Sequence, residues 1–441
     1  MSELETRLAE TIDLLYDRLV DPLDARADTD GQLWPTVGTG AQASQVALPE
    51  LAEIRRQCRH LAMTNEFAIN GHENRVNYIV GLGHHYRVVP QASDDPERRA
   101  DTSLVSAVQA VVDRFREENN WSARQQEIIR RKDRDGECFV RLFADIEGTV
   151  RIRFVEPEQV ATPESLAGRP NISHGIVADP EDAESIESYY IDGRAVSADQ
   201  VQHRRRGVDG NVRRGIPLFY PVIKNLRRAE RLLRNMSVLT EIQSAIAIIR
   251  KHRGAGRSEI EQFVTNSADQ TAADRSTGQA SYARRYGPGT ILDATDGTDY
   301  QFPAAAVQAS QYVEILQAEL RAVAARLVMP EFMLSSNASN ANYASTMVAE
   351  GPAVKMFERL QDELRQEDID LLRRVIGASI AAGRLPVDTL ARVKIDVTLP
   401  SLATRDRLRD AQADQILVRC GAMTPEQMAG RFGVGSLRDS G

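Results

Sequence analysis

The apolar positions of the first part of the chain follow helical spacing. From residue 50 to about residue 80, Leu51, Ile54 and Cys58 begin a series with steps of three and four, the spacing that places side chains on one face of a helix. Gly81 and Gly83 favour a turn after it. The pattern predicts, in order, a helix over 50–80, a strand over 86–89 that Pro90 ends, and a helix over 104–131 interrupted near Asn119 and Asn120.

The extended pattern is concentrated in residues 136–206. In the segment from Val150 to Val155, apolar residues alternate with arginine, as in a strand with one exposed face. Further strands are predicted at 138–143, 189–191 and 195–196. This region is therefore expected to be the β-rich part of the chain.

Two long helical patterns enclose a polar insert. The first begins at Pro221 and runs to about residue 252, and the second runs from Pro303 to Pro330. The first pattern, of about 30 residues, would form a rod of roughly 45 Å. Neither apolar stripe is wide enough for burial on all sides, so each helix needs a partner. Between the two, residues 253–302 are polar and rich in glycine.

The chain after Pro330 begins with a small, polar, uncharged segment over 335–345. This composition suits either a disordered linker or a loop that lines a pore. A helix over 354–382, a strand over 393–399 and two short helices between 406 and 432 are expected to follow. Thr424, Pro425 and Gln427 have the order of a helix N-cap. Near the other end of the chain, residues 21–50 resemble an extended arm.

Composition changes this picture in two ways. The 441 residues are 42% hydrophobic and contain no apolar run of membrane-spanning length, and the first residues lack a secretory signal pattern. The net charge is -8, whereas tight binding to phosphates requires basic excess. The balance therefore argues against static gripping of DNA. Only five residues are lysine, which we attribute mainly to codon bias.

No catalytic constellation is recognisable. None of the lysines stands in a GK[ST] motif, and Gly81 and Gly83 lack the third glycine of a dinucleotide loop. His84 and His85 are adjacent and have no third metal ligand nearby, so a surface or interface role is favoured. The three cysteines match no metal spacing and are expected to be buried thiols: Cys58, Cys138 and Cys420. We expect no catalytic activity, no cofactor and no metal.

A run of basic residues is the strongest charge feature. Ten fall within residues 204–234, against only two acidic residues. One interpretation is a DNA contact, and the other, which we favour, is ion pairing with a neighbouring subunit. Aromatic residues do not alternate with these arginines as a base-stacking platform would require. The candidates are Arg204, Arg205, Arg206, Arg213, Arg214, Arg227 and Arg228.

The order of these pieces resembles the portal proteins of tailed bacteriophages or of a related prophage or gene-transfer particle. The resemblance covers residues 51–432. It depends on five features, none of them catalytic: Val80–Gly83; Asp135–Phe139 with Phe154–Pro157; Arg213–Pro217 with Pro221 before the first long helix; Val328–Leu334 with the Ser/Asn/Ala segment after it; and Asp410–Gln415 with Gly421–Gln427 in the tail.

The resemblance implies an α+β, mainly α protomer that assembles as a ring. Its expected parts are an N-terminal arm (1–50), an α/β wing (51–222, joined by 384–403), two stem helices (223–252 and 304–330), a small clip insert (253–303), a tunnel loop region (331–353), a long wing and crown helix (354–383) and a helical crown (404–441). The tunnel loop would line the channel through Ser335, Ser336, Asn337, Ser339, Asn340, Asn342 and Tyr343.

The same resemblance implies the partners and the place of the protein. A ring of about twelve copies would pass double-stranded DNA without sequence preference. It would dock the terminase large subunit during packaging and a head-tail adaptor afterwards, beside the major capsid and scaffold proteins. The protein would be located at the portal vertex of the virion, and in the host cytoplasm during assembly. No membrane partner is expected. The alternatives are another head-morphogenesis or baseplate protein, and a DNA-processing enzyme.

Overall fold

A computed structural model describes most of the chain. The described residues are 48–92, 100–169, 171–182, 184–210, 212–252, 290–295, 309–337, 343–402 and 407–431. Most of the predicted arm (1–50) and most of the predicted clip (253–303) lie outside them. These two predictions are therefore not addressed by the structure.

The described part is mainly helical with some sheet, as predicted. The helices are α1 (Leu48–Thr64), α2 (Glu66–Ile79), α3 (Thr102–Glu118), α4 (Trp121–Asp135), α5 (Ile223–Ala245), α6 (Ala309–Leu327), α7 (Glu331–Ser335), α8 (Tyr343–Ala381), α9 (Thr389–Arg392), α10 (Arg407–Arg419) and α11 (Pro425–Arg431). Short 3-10 turns lie at Pro157–Gln159, Glu164–Leu166, Ala198–Gln200 and Tyr220–Val222.

The strands form four small sheets. They are β1 (His85–Pro90), β2 (Glu137–Ala144), β3 (Val150–Val155), β4 (Ile172–Ser173), β5 (Ile176–Ala178), β6 (Ile186–Ile191), β7 (Arg194–Ser197), β8 (Val201–Arg205), β9 (Ile246–His252), β10 (Thr290–Thr295) and β11 (Val393–Thr398). The orders are β3-β2-β8, β4-β5-β6-β7, β1-β11 and β10-β9. The pair β9 and β10 is parallel, and every other pair is antiparallel.

The chain divides into two compact units. The first contains the residues up to Lys224 and those from Val323 onward, and the second is Asn225–Ala322. The second unit contains most of α5 and α6. These two helices contact each other where Asn225 Nδ2 donates to Glu319 Oε2 at 2.6 Å.

Asparagine side chains mark the breaks between the N-terminal helices. Asn65 caps α2, because its Oδ1 accepts the Ala68 N–H, so the predicted helix over 50–80 is two helices. Asn119 Nδ2 donates to Val150 O, and its Oδ1 accepts Ile152 N at 2.9 Å. The interruption predicted near Asn119 therefore also attaches the end of α3 to β3.

The apolar core of the β-rich region lies between its two larger sheets. Side chains from β2 and β3, including Phe139 and Val155, pack against Ile176, Tyr189 and Ile191 of the four-stranded sheet. The other face of β2 points Val140 and Leu142 into the interior beside α4. The central strand β2 is therefore covered on both faces over most of its length.

Helix α8 is the longest element of the first unit. Its 39 residues begin at Tyr343 rather than at the predicted residue 354, with Pro352 inside the helix. The prediction was wrong because Gly351 and Pro352 together are usually a helix boundary. Buried Leu364, Leu372 and other apolar side chains pack it against α2 and α3.

Three further predictions differ from the structure. Helix α5 ends at Ala245, and Ile246–His252 is strand β9, since the β-branched isoleucines there favour an extended chain. Cys420 is exposed, unlike the other two cysteines. His84 is buried and bonds Ile79 O, so a surface role for it was a wrong prediction.

Two glycines meet where α4 turns into β2. Gly136 has φ +82°, and an added Cβ would lie 2.5 Å from the carbonyl carbon of Ile216. At Gly215 an added Cβ would lie 1.9 Å from Gly136 O. The segments Asp135–Phe139 and Arg213–Pro217, both singled out in the sequence, are therefore in backbone contact.

We predict that Gly136→Ala destabilises the protein by about 2 kcal/mol or more beyond Gly193→Ala. Gly193 is the matched control, because its φ is +75° but nothing lies within 4 Å of an added Cβ. Both variants carry similar backbone strain, and only Gly136→Ala adds the steric clash. Chemical unfolding of the two variants measures the difference, and equal losses would contradict the close approach.

Candidate functional site

Charged residues are concentrated where α4 ends and β2 begins. Lys132, Asp133, Asp135 and Glu137 lie within six positions and are each no more than 5% exposed. We call these four residues the junction. Burial of ionised groups is costly unless each finds an opposite charge and hydrogen bonds. The partners must therefore come from other parts of the fold.

Glu137 is the centre of the first set of partners. Its Oε1 accepts Arg214 Nε at 2.8 Å and also binds Arg55 of α1. Its Oε2 accepts His203 Nε2 at 2.9 Å and the Gly215 N–H at 3.1 Å. One carboxylate thus joins α1, β2, β8 and the 213–217 segment.

Asp133 and Lys132 connect the junction to two further helices. Asp133 Oδ2 accepts Arg75 Nε of α2 at 2.8 Å, and Arg206 Nε lies 3.3 Å from its Oδ1. Lys132 Nζ donates to Glu363 at 2.6 Å and to Glu367 at 2.8 Å, both on α8. Asp135 is bound by Arg59 of α1 at 2.6 Å, in a partly exposed pair.

A second buried cluster surrounds Asp368 of α8. Its Oδ1 accepts a hydrogen bond from Arg204 Nη1 at 2.8 Å, and its Oδ2 accepts one from the Tyr86 hydroxyl at 2.5 Å. Gln125 Nε2 donates to the same hydroxyl and to Asp368 Oδ2, and Trp121 Nε1 donates to the hydroxyl at 3.2 Å. This cluster connects β1, α4, β8 and α8.

These partners keep the buried groups charged. Burial raises the pKa of Glu137, but Arg214, the His203 hydrogen bond and Arg55 outweigh it, so the pKa lies below 4.5. Burial lowers the pKa of Lys132, yet Glu367 and Glu363 raise it above 10.5. Burial also lowers the pKa of His203 to about 4, so this imidazole is neutral and donates from Nε2 to Glu137.

The arginine run is divided by the fold. Arg204 and Arg214 are 1% and 4% exposed, in ion pairs with Asp368 and Glu137 of their own chain. Their prediction as DNA or neighbour contacts was wrong, because neither guanidinium reaches the surface. Arg213 is also buried.

The remaining members of the run have separate environments. Arg206 faces Asp133, and Arg205 donates to the backbone oxygens of Gly210 and Val212. Arg227 and Arg228 lie in the second unit on α5. Arg228 Nη1 is 3.7 Å from Glu319, and the side chain is half exposed. For Arg227 and Arg228, a contact with DNA or with a neighbouring subunit stays a prediction.

The chain directly after Pro330 is held against α2 by hydrogen bonds. Asn70 Nδ2 of α2 donates to Met333 O and Leu334 O at 2.8 and 2.7 Å, and Asn74 adds a bond to Met333 O. Of the predicted tunnel residues, Ser335 ends α7, and Ser336 has φ 57°. Asn337 is exposed and Tyr343 begins α8, whereas Ser339, Asn340 and Asn342 lie outside the described residues.

The described residues contain no group of His, Cys, Asp or Glu side chains arranged to hold a metal ion. Within the same ranges, no helix is both long and apolar enough to cross a membrane. The buried acids Glu137, Asp133 and Asp368 are instead paired with arginine.

A model of the phage portal protein, lambda family, matches residues 31–361, well over half of the chain. This chain belongs to that portal family. The family is structural rather than enzymatic, which agrees with the lack of a catalytic constellation in the sequence. The portal chain therefore has a structural role in a phage-type particle.

Three solved structures are similar to this portal chain at 14% identity. The neck of a native gene transfer agent particle, computed with C12 symmetry, has a TM-score of 0.37 over 86% of this chain and 94% of the other. A chain of the native gene transfer agent virion has a TM-score of 0.41 over 93% of this chain and 98% of the other. An HK97-family phage portal protein from Corynebacterium diphtheriae has a TM-score of 0.32 over 77% of this chain and 94% of the other.

These TM-scores are low, so the assignment rests on the family match. No curated protein matches the portal chain in sequence.

Sequence reasoning missed the junction and the cluster around Asp368. The Lys-Asp-Arg-Asp-Gly-Glu run over 132–137 is evident in the sequence, but by itself it predicts only a turn. A signal did exist, since a dense charge run directly before an apolar strand needs buried counter-charges if the strand is central. Sequence spacing could not say which arginines supply them.

We predict that Glu137→Gln destabilises the protein by about 3–5 kcal/mol. The amide keeps the shape of the side chain but leaves Arg55 and Arg214 buried without their counter-charge. Glu53→Gln is the control, because Glu53 pairs with Arg56 on the exposed face of α1, where ion pairs contribute little. Chemical unfolding should separate the two, and similar small losses would contradict the importance of the junction.

Proposed function

We propose that this protein forms the portal ring through which double-stranded DNA enters and leaves the capsid at one vertex. Membership of the portal family is the observation that carries the proposal. A protomer that binds its neighbour head to tail closes into a ring when the rotation between copies allows it. A copy number of twelve is part of the proposal.

The proposed parts of the protomer follow the sequence predictions, with two boundaries moved. The stem consists of α5, ending at Ala245, and α6, which contact each other at Asn225 and Glu319. The clip is the chain between them. The first unit supplies the wing, and α10 and α11 belong to the crown. The tunnel segment is shortened to residues 336–342, because helix α8 begins at Tyr343.

The chemistry of the tunnel segment suits passage rather than binding. Residues 336–342 are Ser, Asn and Ala, whose hydroxyl and amide groups offer weak contacts without regard to base sequence. The net charge of -8 per chain would repel phosphates and limit retention. Arg204 and Arg214 are unavailable to DNA because they are buried.

The proposed partners are those of a portal vertex. The ring would dock the terminase large subunit through the clip during packaging, and a head-tail adaptor would take its place afterwards. The major capsid and scaffold proteins would surround the wing. The protein would act in the virion after assembly in the host cytoplasm.

Imaging of the purified full chain tests the proposal. Negative-stain micrographs should contain rings with a central hole, and mass photometry should give about twelve times the protomer mass of 48.9 kDa. Interfaces that close head to tail give such discrete assemblies. A compact closed dimer as the final state would contradict the portal ring.

We predict that Asn337→Arg with Asn340→Arg slows DNA packaging at least about threefold, because guanidinium groups bind phosphates. Asn337→Gln with Asn340→Gln is the matched control, since it lengthens the side chains without adding charge. The measurement is the DNA content of particles over time, with rings checked by imaging. Equal packaging by both variants would argue against a channel-lining segment, and loss of rings would make the segment structural.

A further inference from the structure

One half of a sheet face in the first unit is exposed and basic. On β2 and β3, Arg141 stands directly opposite Arg153, and Phe143 directly opposite Arg151. Because directly opposed residues share a face, all four side chains lie on one side of the sheet. We call these four residues the basic corner. The other half of the same face is covered by the four-stranded sheet through Phe139 and Val155.

The basic corner has one weak counter-charge contact within the described part of the chain, between Arg151 and Glu118. Arg141 Nε is buried without a hydrogen-bond partner, and its guanidinium lies over the Phe143 ring at 4.8 Å. Arg153 donates only to a neighbouring backbone oxygen. Arg151 is 3.9 Å from Glu118 and 68% exposed. Like charges directly opposite each other destabilise a sheet, so this arrangement calls for an external anionic partner.

The apolar residues beside these arginines favour a protein partner. Phe143 is 45% exposed, and Ile146, at the tip of the β2–β3 hairpin, is 98% exposed. A phosphate backbone offers no apolar surface that would bury them, whereas protein interfaces combine aromatic anchors with arginine. The nearby Glu147 is already paired with Arg384.

An exposed acidic loop with complementary charge connects β5 to β6. Asp179 and Asp182 accept backbone N–H groups within the loop. Glu181 and Glu184 are exposed and form no ion pair in the described part of the chain. We call residues 179–182, 184 and 185 the acidic loop.

The basic corner and the acidic loop lie toward opposite ends of β8. Arg141 pairs with Val201 at the first residue of β8. Glu184 lies against Gly210, whose carbonyl accepts Arg205 NH1 beyond the last residue of the strand. Four residues of strand separate these ends by about 13 Å. Among the described residues, no ion pair joins Arg151 or Arg153 to Glu181 or Glu184 within one protomer.

We propose that the basic corner of one copy binds the acidic loop of the next copy of this chain. The contact joins two different surfaces, so it is head to tail and can close a ring. Phe143 and Ile146 are buried in it, and Glu181 and Glu184 neutralise Arg151 and Arg153. The inference rests on the proposed function, because it names the surfaces that join the copies of the ring.

Charge reversal in the full chain tests the contact. Arg151→Glu with Arg153→Glu, and separately Glu181→Arg with Glu184→Arg, should each weaken self-association about tenfold or more. All four side chains are exposed, so circular dichroism should report an unchanged fold. Mass photometry over a concentration series measures the association, with the wild-type chain beside it.

Mixing the two reversed variants in equal amounts is the decisive experiment. A reversed corner then meets a reversed loop, and an unaltered corner meets an unaltered loop, so assemblies should return to near the wild-type size. Rings that persist in either variant alone, or no rescue on mixing, would overturn the contact while leaving a wild-type ring intact. Loss of duplex DNA binding without loss of association would instead make the corner a DNA surface. A wild-type chain that never associates would overturn both proposals.

Discussion

The fold depends on keeping Lys132, Asp133 and Glu137, at one helix-to-strand junction, ionised in the protein interior. Transfer of a carboxylate or an ammonium group out of water costs several kcal/mol unless opposite charges and hydrogen bonds replace the water. At Lys132, Asp133 and Glu137 the replacements come from α1, α2, β8, α8 and the 213–217 segment. Segments distant in sequence must therefore be in place together, which makes partial folding of the first unit unfavourable.

Backbone geometry reinforces this requirement. The turn at Gly136 brings its carbonyl to the Arg206 N–H, and Leu218 N donates to Asp133 O at 2.7 Å. The segment that contains Arg214 is thus positioned by main-chain bonds as well as by its ion pair with Glu137. Two short sequence segments that resemble portal proteins are explained as two sides of one contact, since a Cβ on either glycine would separate them.

Local pattern predicted most of the elements, whereas the pairing of charges could not be predicted. Helical spacing located α2, α3 and α6, and the Thr424 cap predicted from three residues is present with both of its hydrogen bonds. Periodicity failed at Ala245, where isoleucines continue a helical stripe into a strand, and at Pro352, which α8 accommodates. Arg204 and Arg228 belong to the same basic run, but Arg204 is buried and Arg228 is half exposed, because burial is decided by distant residues such as Asp368.

The burial of Glu137 with Arg214 and of Asp368 with Arg204 also determines how the protomer responds to ionic strength. At physiological salt, dissolved ions largely screen the interaction between exposed charges that are more than about 8–10 Å apart. They screen buried ion pairs much less. The concentrated counterions that accompany condensed nucleic acid should therefore leave the interior of the protomer intact. Contacts between exposed charges should weaken in the same medium, so folding and surface association respond to different salt ranges.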